Sequence, residues 1–153
     1  MAGDLNQTRI PPAALFVGLA GLIPFAAGAL STWSQFGPLP PEAGLKLVIS
    51  YGALILTFLG GIRWGTAIGP YGSRRQGLEF FASVLGSLAG LAALFLAAVP
   101  ALTLLLAGFL MQAFWDVTSV EEGRLPQWFG KLRMVLTAGA ILSLIAALVA
   151  VVI

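Results

Sequence analysis

The sequence contains no cysteine and no histidine, and only 9% of its 153 residues are charged. Without cysteine the chain cannot form disulfides, use a thiolate nucleophile or hold an iron–sulfur cluster. Without histidine it lacks the commonest metal ligand and the usual proton shuttle at neutral pH. The charged fraction is about a third of the roughly 25% that is usual in soluble domains. We therefore expect neither a soluble protein nor a protein-bound metal or other cofactor.

Long apolar runs make up most of the chain and determine its class. Hydrophobic residues account for 59% of the sequence, and one membrane-spanning helix needs about 20 apolar residues. Backbone amides in lipid must be satisfied within a helix or a closed barrel. We therefore expect an all-α, polytopic integral membrane bundle of five helices, forming a single domain over residues 1–153. The predicted spans are residues 12–30, 45–68, 78–97, 100–118 and 131–153.

The basic residues are distributed unequally between the two predicted membrane faces. With five spans, seven of the eight Lys and Arg residues fall on one face and only Lys46 falls on the other. Basic loops stay in the cytoplasm, so we expect a cytoplasmic N-terminus and a periplasmic C-terminus. Joining the third and fourth runs into one span would remove this asymmetry. The seven residues are Arg9, Arg63, Arg74, Arg75, Arg124, Lys131 and Arg133.

The first apolar run has a second interpretation, as a cleavable signal peptide. The small residues Ala27, Gly28 and Ala29 follow an apolar stretch, as they do at a cleavage site. Asp4 and the near-span length of the run favour a retained helix instead. The N-terminal residues do not resemble the Arg-rich, acid-poor sequences that direct mitochondrial import, so we expect a bacterial inner membrane. Pro24 predicts a kink in this helix, because proline lacks an amide proton.

Small residues recur at four-residue spacing in three of the runs and predict close helix crossings. In lipid, such crossings stabilise helix pairs through backbone contact. Packing within the chain is the simpler explanation, and a homodimer face is the alternative. A homo-oligomer is thus compatible with the sequence but not implied by it. The three stripes are Ala82, Gly86 and Gly90; Gly61 and Gly65; and Gly139, Ser143 and Ala147.

Polar residues gather near the predicted cytoplasmic ends of helices two, four and five. Such groups are rare in membrane helices, where they form ion pairs or mark functional sites. Two interpretations remain open at this stage. The cluster either ties the helix ends together and anchors tryptophans at the interface, or it forms the floor of a pocket for an anionic group. The candidate residues are Arg63, Trp64, Gln112, Trp115, Asp116, Trp128 and Arg133.

The carboxylates of the chain have simpler expected roles. Asp116 needs a cation near the hydrocarbon boundary, and of Arg63 and Arg133 we favour Arg133. Glu79 is expected to complement the positive end of the third helix. Carboxylates are ligands for hard cations, but Asp116 and the loop acids match no metal-binding spacing. We therefore expect no metal site.

Three segments of the sequence resemble a known family. They are residues 51–65 (YGALILTFLGGIRWG), 125–129 (LPQWF) and 132–137 (LRMVLT). Together they are similar to the domain of unknown function 3429 family, a transmembrane protein 69-like family. The resemblance implies a small multi-span membrane protein of bacteria with mitochondrial relatives, and it supplies no established activity. A looser likeness to translocator-type tryptophan-rich sensory proteins, which bind porphyrins or sterols, rests on size and span number alone.

The sequence contains no motif that indicates catalysis. A nucleophile elbow, a phosphate-binding glycine loop and an acid–base pair are all lacking, so we expect a protein that is not an enzyme. The leading hypothesis is an accessory or assembly component of a larger inner-membrane complex. We expect the protein to contact the lipid bilayer and not to bind nucleic acid. The alternative is a binding protein or transporter for a small amphiphile or anion at the polar cluster.

Overall fold

The structure is a computed structural model that describes residues 8–33, 37–69 and 76–153. Within these ranges the chain is helical and contains no strand. Five helical segments are long and apolar enough to cross a membrane, and α1 and α2 together form the first of them. The prediction of five such helices is confirmed. The helices are α1 (Pro12–Ala20), α2 (Ile23–Thr32), α3 (Pro41–Ile68), α4 (Gln76–Phe95), α5 (Ala98–Glu121) and α6 (Gln127–Val152).

The helices begin earlier in the chain than hydropathy alone predicts. Helix α3 begins at Pro41 rather than at residue 45, and α6 begins at Gln127 rather than at residue 131. In both cases an extended proline, Pro40 or Pro126, precedes the first helical residue. Proline suits the start of a helix because the first amides have no partner within the helix. Hydropathy misses these first turns because they contain polar residues.

The first span is interrupted, as Pro24 predicts. Because Pro24 has no amide proton, it cannot continue the regular hydrogen bonding of the helix. The break lies just before it, at Gly21 and Leu22, where the Leu22 amide donates to the Leu19 carbonyl at 3.0 Å. Beyond the break, the indole of Trp33 donates to the Ala146 carbonyl of α6 at 3.1 Å and holds the end of the span in place.

Helix α3 packs against α2, α4, α5 and α6. The buried apolar core is formed by α2, α3, α5 and α6 together with Ala93 of α4, and its largest side chains include Phe25, Leu56, Leu105, Phe109 and Leu144. Helices α3 and α5 end, and α4 and α6 begin, at the same end of the bundle. We call this the basic end, because Arg63, Arg124, Lys131 and Arg133 lie there; Arg74 and Arg75 lie outside the described residues.

Glycines set the distance between α3 and α4. A Cβ atom added at Gly90 would lie 2.7 Å from the Ala53 carbonyl oxygen, and one added at Gly86 would lie 3.0 Å from that of Leu56. The predicted stripe on α4 therefore packs within the chain. On α3 the glycine at this crossing is Gly60, which meets the backbone of Ser83.

The predicted crossing at Gly61 and Gly65 is wrong for the helices of this chain. Apart from the neighbouring backbone of α3 itself, a Cβ atom at either position would have no described atom within 4 Å. Successive helical residues are rotated by about 100°, so Gly61 faces away from the surface that Gly60 presents to α4. On α6, by contrast, Gly139 packs against the side chain of Leu22, as its stripe predicts.

We expect Gly60→Ala to lower the free energy of unfolding by about 1–3 kcal/mol, because its methyl group would overlap the Ser83 carbonyl and push α4 away. The matched variant Gly61→Ala places the same group in open space. It should be neutral or slightly stabilising, because alanine favours helix. Reversible unfolding in mixed micelles measures both changes. Equal effects of the two variants would contradict the α3–α4 packing.

Candidate functional site

Four charged side chains are buried together at the basic end of the bundle. Arg63 of α3, Glu79 of α4, Asp116 of α5 and Arg133 of α6 are each at most 5% exposed. Buried charges are costly unless they are paired or hydrogen-bonded. Their pairing therefore decides which of these charges are neutralised within the bundle.

Asp116 and Arg133 form a buried ion pair between α5 and α6. The Nε atom of Arg133 lies 2.9 Å from Oδ2 of Asp116, and the two side chains are 5% and 4% exposed. The predicted partner of Asp116 is thus confirmed. The contact is close but not aligned as a hydrogen bond, and Nη2 of Arg133 also has no partner among the described residues. The pair neutralises charge while leaving donors of Arg133 unsatisfied.

Arg63 has a different environment, because no carboxylate of the described residues lies within ion-pair distance of it. Its guanidinium carbon lies 3.8 Å above the centre of the Trp115 ring, as in a cation–π contact. Its Nε and Nη2 atoms are buried and make no hydrogen bond with a described group. Arg63 is therefore held by an aromatic face while its charge lacks a directly paired anion.

Glu79 is a buried ion-pair partner, which the sequence analysis missed. Its Oε1 atom accepts from Nη1 of Arg124 at 2.6 Å and from the indole of Trp115 at 3.3 Å. Arg124 also binds Glu122, with its Nε 2.8 Å from Oε2. One signal could have revealed this role, because Glu79 precedes Ala82, Ser83 and Gly86 on one helical stripe. That stripe is the face of α4 that packs against the bundle.

The Arg124 contacts tie the α5–α6 loop to the start of α4. Burial by itself lowers the pKa of Arg124, but the hydrogen bonds and charges of Glu79 and Glu122 outweigh that effect and raise the pKa above its ordinary value. Arg124 therefore stays charged across the physiological range. Together with Trp115, this link joins α4, α5 and the loop beside Arg63.

A cleft of about 250 Å³ opens between α3, α4 and α5, and we call it the Arg63 cleft. Arg63, Gln112 and Trp115 line its polar end. The amide of Gln112 donates to the Leu59 carbonyl at 2.8 Å, which fixes this side chain against α3. Apolar side chains of α3, α4 and α5 form the remaining walls, among them Leu56, Leu85, Leu104 and Met111.

A second cleft, of about 290 Å³, lies on the other side of α3, between the first span, α5 and α6. Arg133 and Thr137 provide polar groups on its α6 wall, and we call it the Thr137 cleft. Aromatic and aliphatic residues form most of its surface, including Phe25, Tyr51, Phe58 and Phe109.

The predicted cluster is thus divided between two clefts and an outer surface. Arg63, Gln112 and Trp115 meet in one cleft, while Arg133, paired with Asp116, borders the other. Two predicted tryptophans line neither cleft. Trp64 is 48% exposed on the surface and packs on Phe80 with ring centres 4.7 Å apart. Trp128 packs edge-on against Phe129, with ring centres 6.0 Å apart.

The acidic residues do not converge on a metal site within the described ranges. Asp116 is paired with Arg133. Glu79 and Glu122 both contact Arg124, and Glu121 is exposed. This end of the bundle therefore combines buried guanidinium groups with apolar clefts.

Comparison with known proteins identifies the family. The family described as "Protein of unknown function (DUF3429)" matches residues 10–149. The chain belongs to this family. Its apolar helices and the names of its relatives show that it is a transmembrane protein. The family match confirms the resemblance inferred from residues 51–65 and the two shorter segments. No solved structure matches the chain.

Two relatives of this DUF3429 protein carry the name Transmembrane protein 69. The Xenopus tropicalis protein is 37% identical over 142 residues, which are 91% of this chain and 54% of the relative. The Mus musculus protein is 47% identical over 55 residues, which are 36% of this chain and 22% of the relative. The chain thus spans about half the length of the frog relative.

The Asp116–Arg133 pair should show strong energetic coupling. We expect Asp116→Asn and Arg133→Gln each to lower the free energy of unfolding by about 3–5 kcal/mol, because each leaves a buried charge unpaired. The loss of unfolding free energy in the double variant should be about 1–3 kcal/mol smaller than the sum of the two single losses. Unfolding in mixed micelles measures the three values. Glu121→Gln, an exposed control, should be near neutral, and strictly additive losses would contradict the pair.

Proposed function

We propose that this protein is a non-enzymatic binding protein that holds an anionic amphiphile in the Arg63 cleft. One observation carries the proposal: a buried guanidinium without a paired carboxylate among the described residues borders an apolar cleft of about 250 Å³. An unpaired buried cation is strongly unfavourable. A phosphate or carboxylate in the cleft would supply the missing anion, and a shift of the buried guanidinium toward it would let Nε and Nη2 donate charge-assisted hydrogen bonds.

The position of Arg63 along α3 favours an amphiphile over a small hydrophilic anion. Arg63 precedes the last residue of α3, Ile68, by five residues, which is about 8 Å at the helical rise. At this depth a headgroup can reach the guanidinium from the membrane surface. The walls deeper in the cleft are apolar and suit an alkyl chain. A membrane lipid and a free amphiphile share this chemistry.

The orientation of the bundle is part of the same proposal. We place the basic end, and with it the N-terminus, in the cytoplasm of a bacterial inner membrane, which puts the C-terminus in the periplasm. The unequal distribution of Lys and Arg supports this placement. The amphiphile would then enter the Arg63 cleft from the inner leaflet, where anionic lipids attract basic segments.

Single cysteine variants test the orientation, because the chain has no native cysteine. Glu42→Cys and Glu121→Cys alter exposed acidic residues at opposite ends of the bundle and leave all Lys and Arg in place. In intact spheroplasts, a membrane-impermeant maleimide should label the cysteine at position 42. It should label the one at position 121 only after permeabilisation. The reverse pattern would contradict the proposed orientation.

Binding of dodecyl phosphate and of dodecanol, measured by native mass spectrometry, tests the site. The wild-type protein should prefer the phosphate, and Arg63→Gln should weaken phosphate binding about 10- to 100-fold, as expected for hydrogen bonds that involve a charged group. Dodecanol binding should change little. Lys131→Gln removes an exposed cation at the same end of the bundle and should keep the preference.

Two variants test whether the apolar part of the Arg63 cleft holds the alkyl chain. Ala107→Phe places a ring in the Arg63 cleft, whereas Ala92→Phe places the same ring on the outer surface of α4. Only the first should reduce binding of both probes. Phosphatidylglycerol used in parallel separates a lipid ligand from a free amphiphile. A wild-type protein that does not distinguish phosphate from alcohol, or Arg63→Gln with unchanged preference, would refute the proposal.

An accessory role in a larger inner-membrane complex is the second candidate function. It is favoured by the outward-facing Gly61 and Gly65 on α3, which have no described neighbour within 4 Å and would let another helix approach closely. The purification for the binding experiment also tests this role. A stoichiometric partner retained in mild detergent would support it, and recovery of the lone chain under several mild conditions would count against it.

A further inference from the structure

Among the described residues, one buried hydroxyl group has no hydrogen-bond partner. The hydroxyls of Thr57, Thr103 and Ser143 donate to carbonyls four residues earlier in their own helices, at 2.9–3.0 Å. The side chain of Thr137 is buried, whereas those of Thr57 and Thr103 are exposed, and its Oγ1 makes no hydrogen bond with a described group. Leaving a buried polar group unpaired is unfavourable. The exception therefore requires an explanation specific to Thr137.

Arg133 contributes a second unpaired donor next to Thr137. The two residues are four positions apart on α6 and so lie on one face of the helix. Nη2 of Arg133 is buried without a partner among the described residues. Both side chains line the Thr137 cleft. The α6 wall of the cleft thus contains two buried hydrogen-bonding groups without a described partner, and the hydroxyl of Tyr51 is a further polar group among the lining residues.

The charge at this wall is already balanced, unlike that of Arg63. Asp116 lies 2.9 Å from Nε of Arg133 and neutralises it. An anion in the Thr137 cleft would add an unpaired negative charge close to Asp116, which is unfavourable in an apolar environment. The unsatisfied donors therefore suit an uncharged group with a hydrogen-bond acceptor, such as a carbonyl oxygen.

The depth of Thr137 excludes the ester groups of ordinary phospholipids as the natural occupant. Helix α6 has 26 residues, and Thr137 lies about 15 Å along its length of about 39 Å. In a hydrocarbon layer about 30 Å thick and centred on the helix, this position lies about 10 Å inside the boundary. Phospholipid esters lie at the boundary of that layer. The occupant must instead carry its acceptor within the hydrocarbon.

The walls of the cleft favour a ring. Phe25 packs edge-on against Tyr51 and Phe109, with ring centres 5.1 and 5.7 Å apart, and all three line the cleft. Aromatic walls pack well against flat apolar rings. The volume of about 290 Å³ lies at the lower end of the range for small-molecule pockets and suits one ring system.

We propose that the Thr137 cleft binds an uncharged, ring-containing hydrophobe through its carbonyl group, which accepts hydrogen bonds from Oγ1 of Thr137 and Nη2 of Arg133. The ring lies against Phe25, Tyr51 and Phe109. This site is separate from the Arg63 cleft in position, in residues and in the charge of its ligand. It therefore does not depend on the function proposed for that cleft.

Benzophenone is a suitable probe, because it is an uncharged diaryl ketone that also labels nearby C–H groups on irradiation. Diphenylmethane has the same two rings without the carbonyl and serves as the matched competitor. In nanodiscs, the wild-type protein should be labelled on residues of the cleft, with benzophenone bound more tightly than diphenylmethane. Thr137→Val, which keeps the shape of the side chain, should weaken benzophenone binding about five-fold and reduce the difference between the two compounds, because only the donor on Arg133 remains.

Two further variants complete the test. Thr103→Val makes the same change at a hydroxyl that its own helix satisfies and should leave binding unchanged. Val17→Trp alters an exposed position of the cleft and should reduce labelling by filling the space. The proposal is overturned if labelling falls outside the cleft. It is also overturned if wild-type protein binds both compounds equally or if Thr137→Val keeps the wild-type preference for the ketone.

Discussion

The packing of this bundle depends on backbone contact between α3 and α4. In water, apolar side chains would drive the helices together, but in lipid the hydrocarbon tails are as apolar as the side chains. Close approach must then supply the attraction. Gly60, Gly86 and Gly90 allow it by removing the side chains that would separate the two backbones. Because α4 is fixed against α3, Glu79 is fixed beside Trp115 and the Arg124 loop.

The buried charges at the basic end follow from this arrangement. Three arginines and two carboxylates are buried or half-buried there, so pairing within the group leaves one cation over: Asp116 takes Arg133, and Glu79 takes Arg124. Glu122 adds a further contact to Arg124 from the exposed side. Arg63 remains with an aromatic face and no carboxylate partner in the described chain. This surplus charge is the physical basis of the proposal that the Arg63 cleft binds an anion.

The two clefts differ in chemistry because the core helix α3 and the ion pair separate them. One contains a cation whose charge is not paired, and the other contains a neutralised pair together with an unsatisfied hydroxyl. The two clefts of this chain therefore differ in the kind of ligand that we propose for each. The DUF3429 family, to which the chain belongs, supplies no activity that would favour one surface over the other.

The sequence by itself determined the class of the protein, the number of spans, the break near Pro24 and the most favourable partner of Asp116. Each of these follows from local properties: hydrophobic length, the missing amide of proline and the high cost of an unpaired carboxylate in lipid. The family resemblance came from short segments that contain Arg63, Trp128 and Arg133.

Only the tertiary structure decided which face of each helix is used. Gly60 and Gly61 have the same side chain, yet one meets α4 and the other faces outward, because helix rotation relative to a neighbour is set by packing. Helix rotation also explains why Arg63 and Arg133 line different clefts, why Trp64 lies on the surface and why Glu79 is buried. Sequence spacing specifies a stripe on one helix, but the neighbour that the stripe meets depends on all five spans together.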